Sequence, residues 1–225
     1  MTLAQNLRQV ESRVSELARG RPVCIVAVSK GQPSEKIREV FAAGQRAFGE
    51  SYVQEALEKQ EALRDLPLEW HFIGPLQSNK TTPVALHFDW VHGLDRVKIA
   101  ERLSDARIVA KLPPLNVCLQ VNLSGEIGKA GVTAEDATAL ARVVGMLPGL
   151  KLRGLMTLPE QTADVTLQRR RFVALRSLFE LLRREGFELD TLSMGMSDDF
   201  AAAVMEGSTI VRVGTALFGE RRRKT

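Results

Sequence analysis

The sequence predicts an α/β protein whose parallel strands close into a (β/α)8 TIM barrel behind an extra N-terminal helix. Three observations carry this. About eight short apolar runs alternate with about eight stretches of helical periodicity, an order that requires parallel strands joined by crossover helices. The 225 residues accommodate eight such units in roughly the span that a compact barrel needs. The first apolar run is followed by Val28-Ser29-Lys30-Gly31-Gln32-Pro33. An open doubly wound sheet would place Gly-x-Gly-x-x-Gly there.

The helix at about residues 3–18 is amphipathic, with Leu3, Leu7, Val10, Val14 and Leu17 on one stripe. Val23 to Val28 is rich in β-branched residues, as a strand covered on both faces should be. A helix opens at Pro33-Ser34-Glu35, faces inward through Ile37, Val40 and Phe41, and stops at Gly44. The alternation then predicts strands at 46–49, 70–73, 90–92, 115–121, 152–156, 189–194 and 209–213. Between them fall helices at 52–63, 79–86 and 97–103, one opening at 133, then 165–184 and 200–205, with a short one at 216–219 after the last strand. With no linker or low-complexity tract, residues 1–225 are expected to form one domain.

Hydrophobic residues at 44% and charged residues at 26% exclude a disordered chain. No apolar run reaches the roughly 20 residues of a membrane span, and residues 1–6 lack a leader's basic region. The expected location is the cytoplasm, where Cys24 and Cys118 in apolar runs read as small buried hydrophobes. The net charge of +4 is local, because Arg221, Arg222, Arg223 and Lys224 supply it within the tail 220–225. DNA or RNA binding is not expected, since only 5% of residues are aromatic and few bases could be stacked.

A barrel works at the C-terminal ends of its strands, and polar residues cluster there. Ser29 and Lys30, Glu50 and Ser51, residues 77–80, Asn122 and Ser124, Thr157, residues 193–199 and Arg212-Val213-Gly214-Thr215 all follow apolar runs. A lysine ending a buried strand is desolvated, which favours its neutral, nucleophilic amine and hence Schiff-base chemistry. A lysine extending to the solvent at the rim is the plain alternative. The segment from Arg212 to Thr215 turns into a helix where barrels usually hold phosphate, and Ser193 and Ser197 could complete an anion cradle.

Other motifs point elsewhere. Gly74-Pro75-Leu76-Gln77-Ser78-Asn79-Lys80-Thr81 has Walker A spacing, which keeps a nucleotide-binding function as a distant alternative. Asn79 replaces its second glycine and Pro75 removes an N–H. His71, His87 and His92 lack metal-ligand spacing, so no metal site is expected, and His71 reads as structural or as a polar group at the rim. Asp198 and Asp199 read as helix caps, and Arg169-Arg170-Arg171 as solvated surface.

Six stretches together resemble one family, the pyridoxal phosphate homeostasis proteins, also called the proline synthetase co-transcribed family. They are Ala27-Val28-Ser29-Lys30, Phe48-Gly49-Glu50 with Tyr52-Val53-Gln54-Glu55, residues 70–80, residues 152–156, residues 193–199 and residues 211–219. The resemblance implies a barrel like the alanine racemase N-terminal domain, with pyridoxal 5'-phosphate (PLP) as cofactor on Lys30. It implies Arg212 facing the pyridine nitrogen, Ser197, Gly214 and Thr215 on the phosphate, and Ser193 and Met196 as further lining. No catalytic residue is implied. The expected role is vitamin B6 homeostasis, holding PLP as carrier or buffer, with PLP-dependent apoenzymes as recipients and a monomeric state. A PLP-dependent amino-acid racemase is the alternative. It would need a second base opposite the lysine, and the one tyrosine, Tyr52, starts a helix, while the sequence ends at Thr225 soon after the last strand. Ser51 and Gly31 depart from the family's usual Asn and Thr, and Lys129 and the basic tail match its cations.

Overall fold

The computed structural model describes residues 2–123 and 130–220. Ser124, Lys129 and residues 221–225 of the basic tail lie outside them. Eight parallel strands close in chain order: β1 (Cys24–Val28), β2 (Ala47–Glu50), β3 (Glu69–Phe72), β4 (Trp90–Leu94), β5 (Leu115–Gln120), β6 (Leu150–Met156), β7 (Thr191–Met196) and β8 (Ile210–Val213). β8 returns to β1 with Cys24 beside Ile210 and Ala27 beside Val213, which completes the barrel.

Helices α1 (Leu3–Ala18), α2 (Ser34–Ala42), α3 (Val53–Ala62), α4 (Thr81–His87), α5 (Val97–Val109), α6 (Ala134–Gly145), α7 (Val165–Arg184), α8 (Phe200–Met205) and α9 (Thr215–Phe218) accompany the strands. Thr2 and Gln5 form a reciprocal cap on α1, and the helix buries Leu7, Val10, Val14 and Ala18. It is tied to the last helices, since Asn6 donates to the Leu217 carbonyl at 2.9 Å and Arg21 to the Val204 carbonyl. Among the described residues no helix is long and apolar enough to cross a membrane.

Strand periodicity divides the apolar residues into two sets. Val26, Ala47, Trp90, Cys118, Met156 and Ile210 form a small cluster. Their chain neighbours Ala27, Phe48, Val91, Val117, Leu155 and Val211 belong to the large cluster between strands and helices. The small cluster is therefore the barrel interior. By the same alternation His71, flanked by Trp70 and Phe72, and Arg212, flanked by Val211 and Val213, also point inward.

Several expectations shift. β7 runs two residues later than its apolar run suggested, because the Leu189 N–H is taken by the Phe187 carbonyl in a turn. It continues through Gly195 and Met196 across a register shift that sets Met196 beside Arg212. Helix α5 extends past Leu103 to Val109, which is 82% exposed and so invisible to an inward-face pattern. Cys24 is exposed rather than buried, because it opens β1 at the barrel's N-terminal end. His71 is fully inside the barrel rather than at its rim.

Candidate functional site

The C-terminal strand ends surround a cleft of about 260 Å³, near the lower end of the roughly 300–1,000 Å³ usual for small-molecule sites. Lys30 and Arg212 supply its cations, Ser51, Ser197 and Thr215 its hydroxyls, and Val28, Ile73, Leu158 and Met196 its apolar wall. Gly214 completes one side; a Cβ there would come within 3.4 Å of the Val28 side chain.

Lys30 sits in the turn after β1, which a buried ionic cluster holds from behind. The Lys59 ammonium, on α3, donates to the Ser29 carbonyl at 2.7 Å. It also pairs with Glu50 Oε1 at 2.7 Å and Glu55 Oε1 at 2.6 Å. The Ser29 hydroxyl donates to Glu50 Oε1 at 2.7 Å, and the Gly31 N–H to Glu55 Oε1 at 2.5 Å. Residues on both sides of Lys30 are thereby anchored. Gly31 has φ +72°, a conformation that glycine adopts without the steric penalty of a Cβ. Burial pushes the Glu50 carboxyl above its usual range while Lys59 pulls it back.

Across the cleft, Arg212 is only 2% exposed. It donates from Nη1 to the Ser193 carbonyl at 2.7 Å and from Nη2 to the Thr157 carbonyl at 2.8 Å. Burial lowers its pKa to about 10, so it remains a cation at neutral pH. Beside it, the Ser197 oxygen accepts the N–H groups of Gly214 at 3.3 Å and Ala216 at 3.2 Å. The carboxylate of Asp199 accepts the Met196 N–H at 2.6 Å, and burial raises its pKa. It thus shapes the turn after β7 and makes no side-chain cap on α8. Asp198 accepts from Gln161 at 3.1 Å instead of capping. The same turn needs Gly195 at φ +97°, where a Cβ would stand 2.6 Å from Ala203 Cβ.

Of the residues singled out in the sequence, Lys30, Met196, Ser197, Arg212, Gly214 and Thr215 all line the cleft. Ser193 is completely buried and touches Arg212 from inside the barrel. Leu158 and Gln161, in the loop after β6, also line it and carry no motif that marks them. The Walker-like loop is built otherwise: Thr81 is buried with its hydroxyl on the Ser78 carbonyl at 2.9 Å, and a 3₁₀ turn at Ser78–Lys80 precedes α4. Arg169 is not simply solvated, since it pairs at 2.6 Å with the buried Glu206.

The cleft brings a primary amine, a guanidinium and a cradle of hydroxyl and N–H groups around a small apolar space. Comparison with known proteins agrees with that chemistry. Residues 2–222 match the family model described as alanine racemase, N-terminal domain. A Pseudomonas aeruginosa protein named pyridoxal phosphate homeostasis protein is 58% identical, over 98% of this chain and 96% of its own. An Escherichia coli protein of the same name is 47% identical, over 97% of each chain. The solved structure of PipY from Synechococcus elongatus with PLP bound has a TM-score of 0.87 at 38% identity, covering 97% of this chain and 100% of that one. Alanine racemase from Corynebacterium glutamicum shares the fold at a TM-score of 0.71 and 18% identity, covering 97% of this chain and 60% of its own. By fold, cleft and full-length similarity, the chain belongs to the pyridoxal phosphate homeostasis protein family.

Proposed function

We propose that the chain binds PLP reversibly on Lys30 and serves intracellular PLP homeostasis as a carrier or buffer. One observation carries the reading: a single cleft holds Lys30, Arg212 and the cradle of Ser197, Gly214 and Thr215. The residues present fit the cofactor. The Ser197 hydroxyl, whose oxygen accepts the Gly214 and Ala216 N–H groups, would have its proton to donate to a phosphate, and Thr215 would add a second hydroxyl. Val28, Ile73, Leu158 and Met196 offer an apolar wall for the ring.

When bound, the cofactor supplies an aldehyde carbon that condenses with a primary amine and releases water. Lys30 provides the amine, held in place by the clamp on Ser29 and Gly31. Arg212 orients the ring by donating to its nitrogen. A guanidinium still charged at neutral pH gives up no proton there, so the ring remains a weak electron sink. Ser197 and Thr215 bind the phosphate, with Met196 against the ring. Tyr52 is 64% exposed and is not part of the cleft lining, so it offers no second base for racemisation. This favours handover to cytoplasmic PLP-dependent apoenzymes over catalysis.

The test is borohydride reduction of the PLP-treated protein followed by peptide mapping. The reduced adduct is expected on Lys30 and lost in Lys30→Ala. A full adduct on another lysine would overturn the assignment. Deuterium incorporation at the α-carbon of alanine, at the roughly 1–1,000 turnovers per second of ordinary enzymes, would overturn the carrier reading.

A further inference from the structure

The interior of a (β/α)8 barrel is ordinarily filled by branched apolar side chains. Here a file of polar groups crosses it. Arg212 Nη1 donates to Ser193 Oγ at 2.5 Å, and Ser193 Oγ lies 2.7 Å from His92 Nδ1. His92 Nε2 is 2.9 Å from His71 Nδ1. His71 Nε2 then faces Glu69 Oε1 at 3.6 Å, and that oxygen receives the Trp90 indole N–H at 2.6 Å. Ser193 and His92 are 0% exposed and His71 is 1% exposed. The Trp90 ring stacks on His71 at 5.5 Å and 9°, which fixes the imidazole plane. The file thus runs from the cleft to Glu69, the first residue of β3 at the opposite end of the barrel.

The donors and acceptors available give this file a direction. A guanidinium has only donors, so Ser193 Oγ accepts from Arg212. The Ser193 hydroxyl proton then goes to His92 Nδ1, which puts the His92 proton on Nε2. That proton is donated to His71 Nδ1, leaving the His71 proton on Nε2, aimed at Glu69. Run the other way from Ser193, the file would leave the Ser193 hydroxyl proton without an acceptor and turn the lone pair of His71 Nε2 towards the Glu69 carboxylate. Charging His92 would add a second cation beside Arg212, and burial, His71 and Arg212 all disfavour it. Buried polar groups are costly to desolvate unless hydrogen-bonded. Every link from Arg212 to His71 Nδ1 is within hydrogen-bond distance, and in the file only His71 Nε2 is left without a partner.

We propose that Ser193, His92 and His71 are positioning residues for Arg212. Their file of hydrogen bonds, running from Arg212 as far as His71, whose Nε2 then faces the Glu69 carboxylate at 3.6 Å without a hydrogen bond, fixes which guanidinium N–H groups turn into the barrel and which one is left for the cofactor ring. The inference deepens the proposed function, since it rests on Arg212 facing the ring nitrogen.

The first test needs no cofactor. Long-range ¹H–¹⁵N NMR of the apoprotein should show the His92 proton on Nε2 and its Nδ1 unprotonated; a proton on His92 Nδ1 would overturn the file. The second compares His92→Leu with His92→Asn, whose amide oxygen can still accept from Ser193. His92→Leu should weaken PLP affinity about 3- to 10-fold, the worth of one orienting hydrogen bond, and shift the absorption band of the bound ring. His92→Asn should stay within about twofold on the same scale. Unchanged affinity and spectrum in a folded His92→Leu protein would refute the proposal. If that variant does not fold, Ser193→Ala carries the same comparison. Failure of the wild-type protein to take up PLP would instead refute the proposed function, with the apoprotein spectrum still deciding the direction of the file.

Discussion

The clamp behind Lys30 and the cradle across the cleft are built on opposite electrostatic plans. The β1–β2 side is a clamp of full charges: Lys59 among Glu50, Glu55 and the Ser29 carbonyl, with Lys59 and Glu50 buried. On the β7–β8 side the anion cradle is made of neutral hydroxyls and backbone N–H groups, Ser197 accepting from Gly214 and Ala216. The buried cation there, Arg212, is held by the Ser193 and Thr157 carbonyls rather than by a carboxylate. Breaking a buried charge cluster is costly, so this one anchors the backbone on both sides of Lys30, at Ser29 and Gly31. Neutral hydrogen bonds can be exchanged for those of an incoming anion at little net cost. Under the proposed function, the contrast would keep the Lys30 amine poised while a phosphate comes and goes.

Removing the cation from the charged side should produce the largest effect. Lys59→Met leaves Glu50 buried without its counter-charge, and breaking such a pair costs about 3–5 kcal/mol. Urea unfolding should show that loss, and adding Glu50→Gln to the same chain should recover part of it. Equal stability of Lys59→Met and wild type would remove the distinction between the two sides.

The neutral cradle should respond in binding rather than in stability. Ser197→Ala and Thr215→Val each remove a hydroxyl from the phosphate cradle, where bonds to a charged group are worth about 1.5–3 kcal/mol. Retention of PLP should therefore fall by roughly 10- to 100-fold per substitution, with unfolding little changed. Pyridoxal, which lacks the phosphate, should bind weakly to all three proteins. Equal binding of pyridoxal and its phosphate to wild type would refute the cradle.

How much of this was legible in the sequence follows from what each feature depends on. Lys30, Gly214 and Thr215 stand just past apolar runs and Arg212 near the end of one, and strand ends are where a barrel works, so local pattern located them. The charged clamp was not legible. Lys59 lies in a helix whose spacing marks it only as one more polar residue, and its role depends on α3 packing across β1 and β2. Nor was the interior file, because an alternation such as Trp70-His71-Phe72 does not say which face points to the axis. Asp199 looked like a cap because it precedes α8, yet its carboxylate is drawn to the Met196 N–H by the bulged end of β7.

The β7–β8 side continues inward from Arg212 through Ser193 to His92, which gives it a pH signature. Burial first, then His71 and Arg212, hold the pKa of His92 well below its usual value. The unfolded chain therefore binds a proton near pH 6.5 that the folded chain refuses. This contribution to stability is complete above that pH and declines as pH falls, by at most about 1.4 kcal/mol per pH unit. Melting curves between pH 7.5 and 5, chosen about the roughly 6.5 of a free imidazole, should show the decline. In His92→Asn the slope should flatten by the share of one proton; an identical slope would assign the decline to other groups.

The smallest effect is expected at the joint between clamp and lysine. Gly31 holds φ +72° while its N–H bonds to Glu55. Alanine there retains the N–H but meets the left-handed steric penalty of about 1–2 kcal/mol. If the clamp dominates, Gly31→Ala loses roughly that much stability yet still forms the reducible Lys30 adduct at close to the wild-type extent, because Lys59 keeps its hold on the Ser29 carbonyl. If the turn instead relaxes out of the left-handed region, the stability loss shrinks and adduct formation falls, since the bond to Glu55 breaks and Lys30 swings with it. Measuring unfolding and adduct yield on one sample separates the two, and a large loss of adduct with unchanged stability would show that the charged side does not by itself hold the lysine.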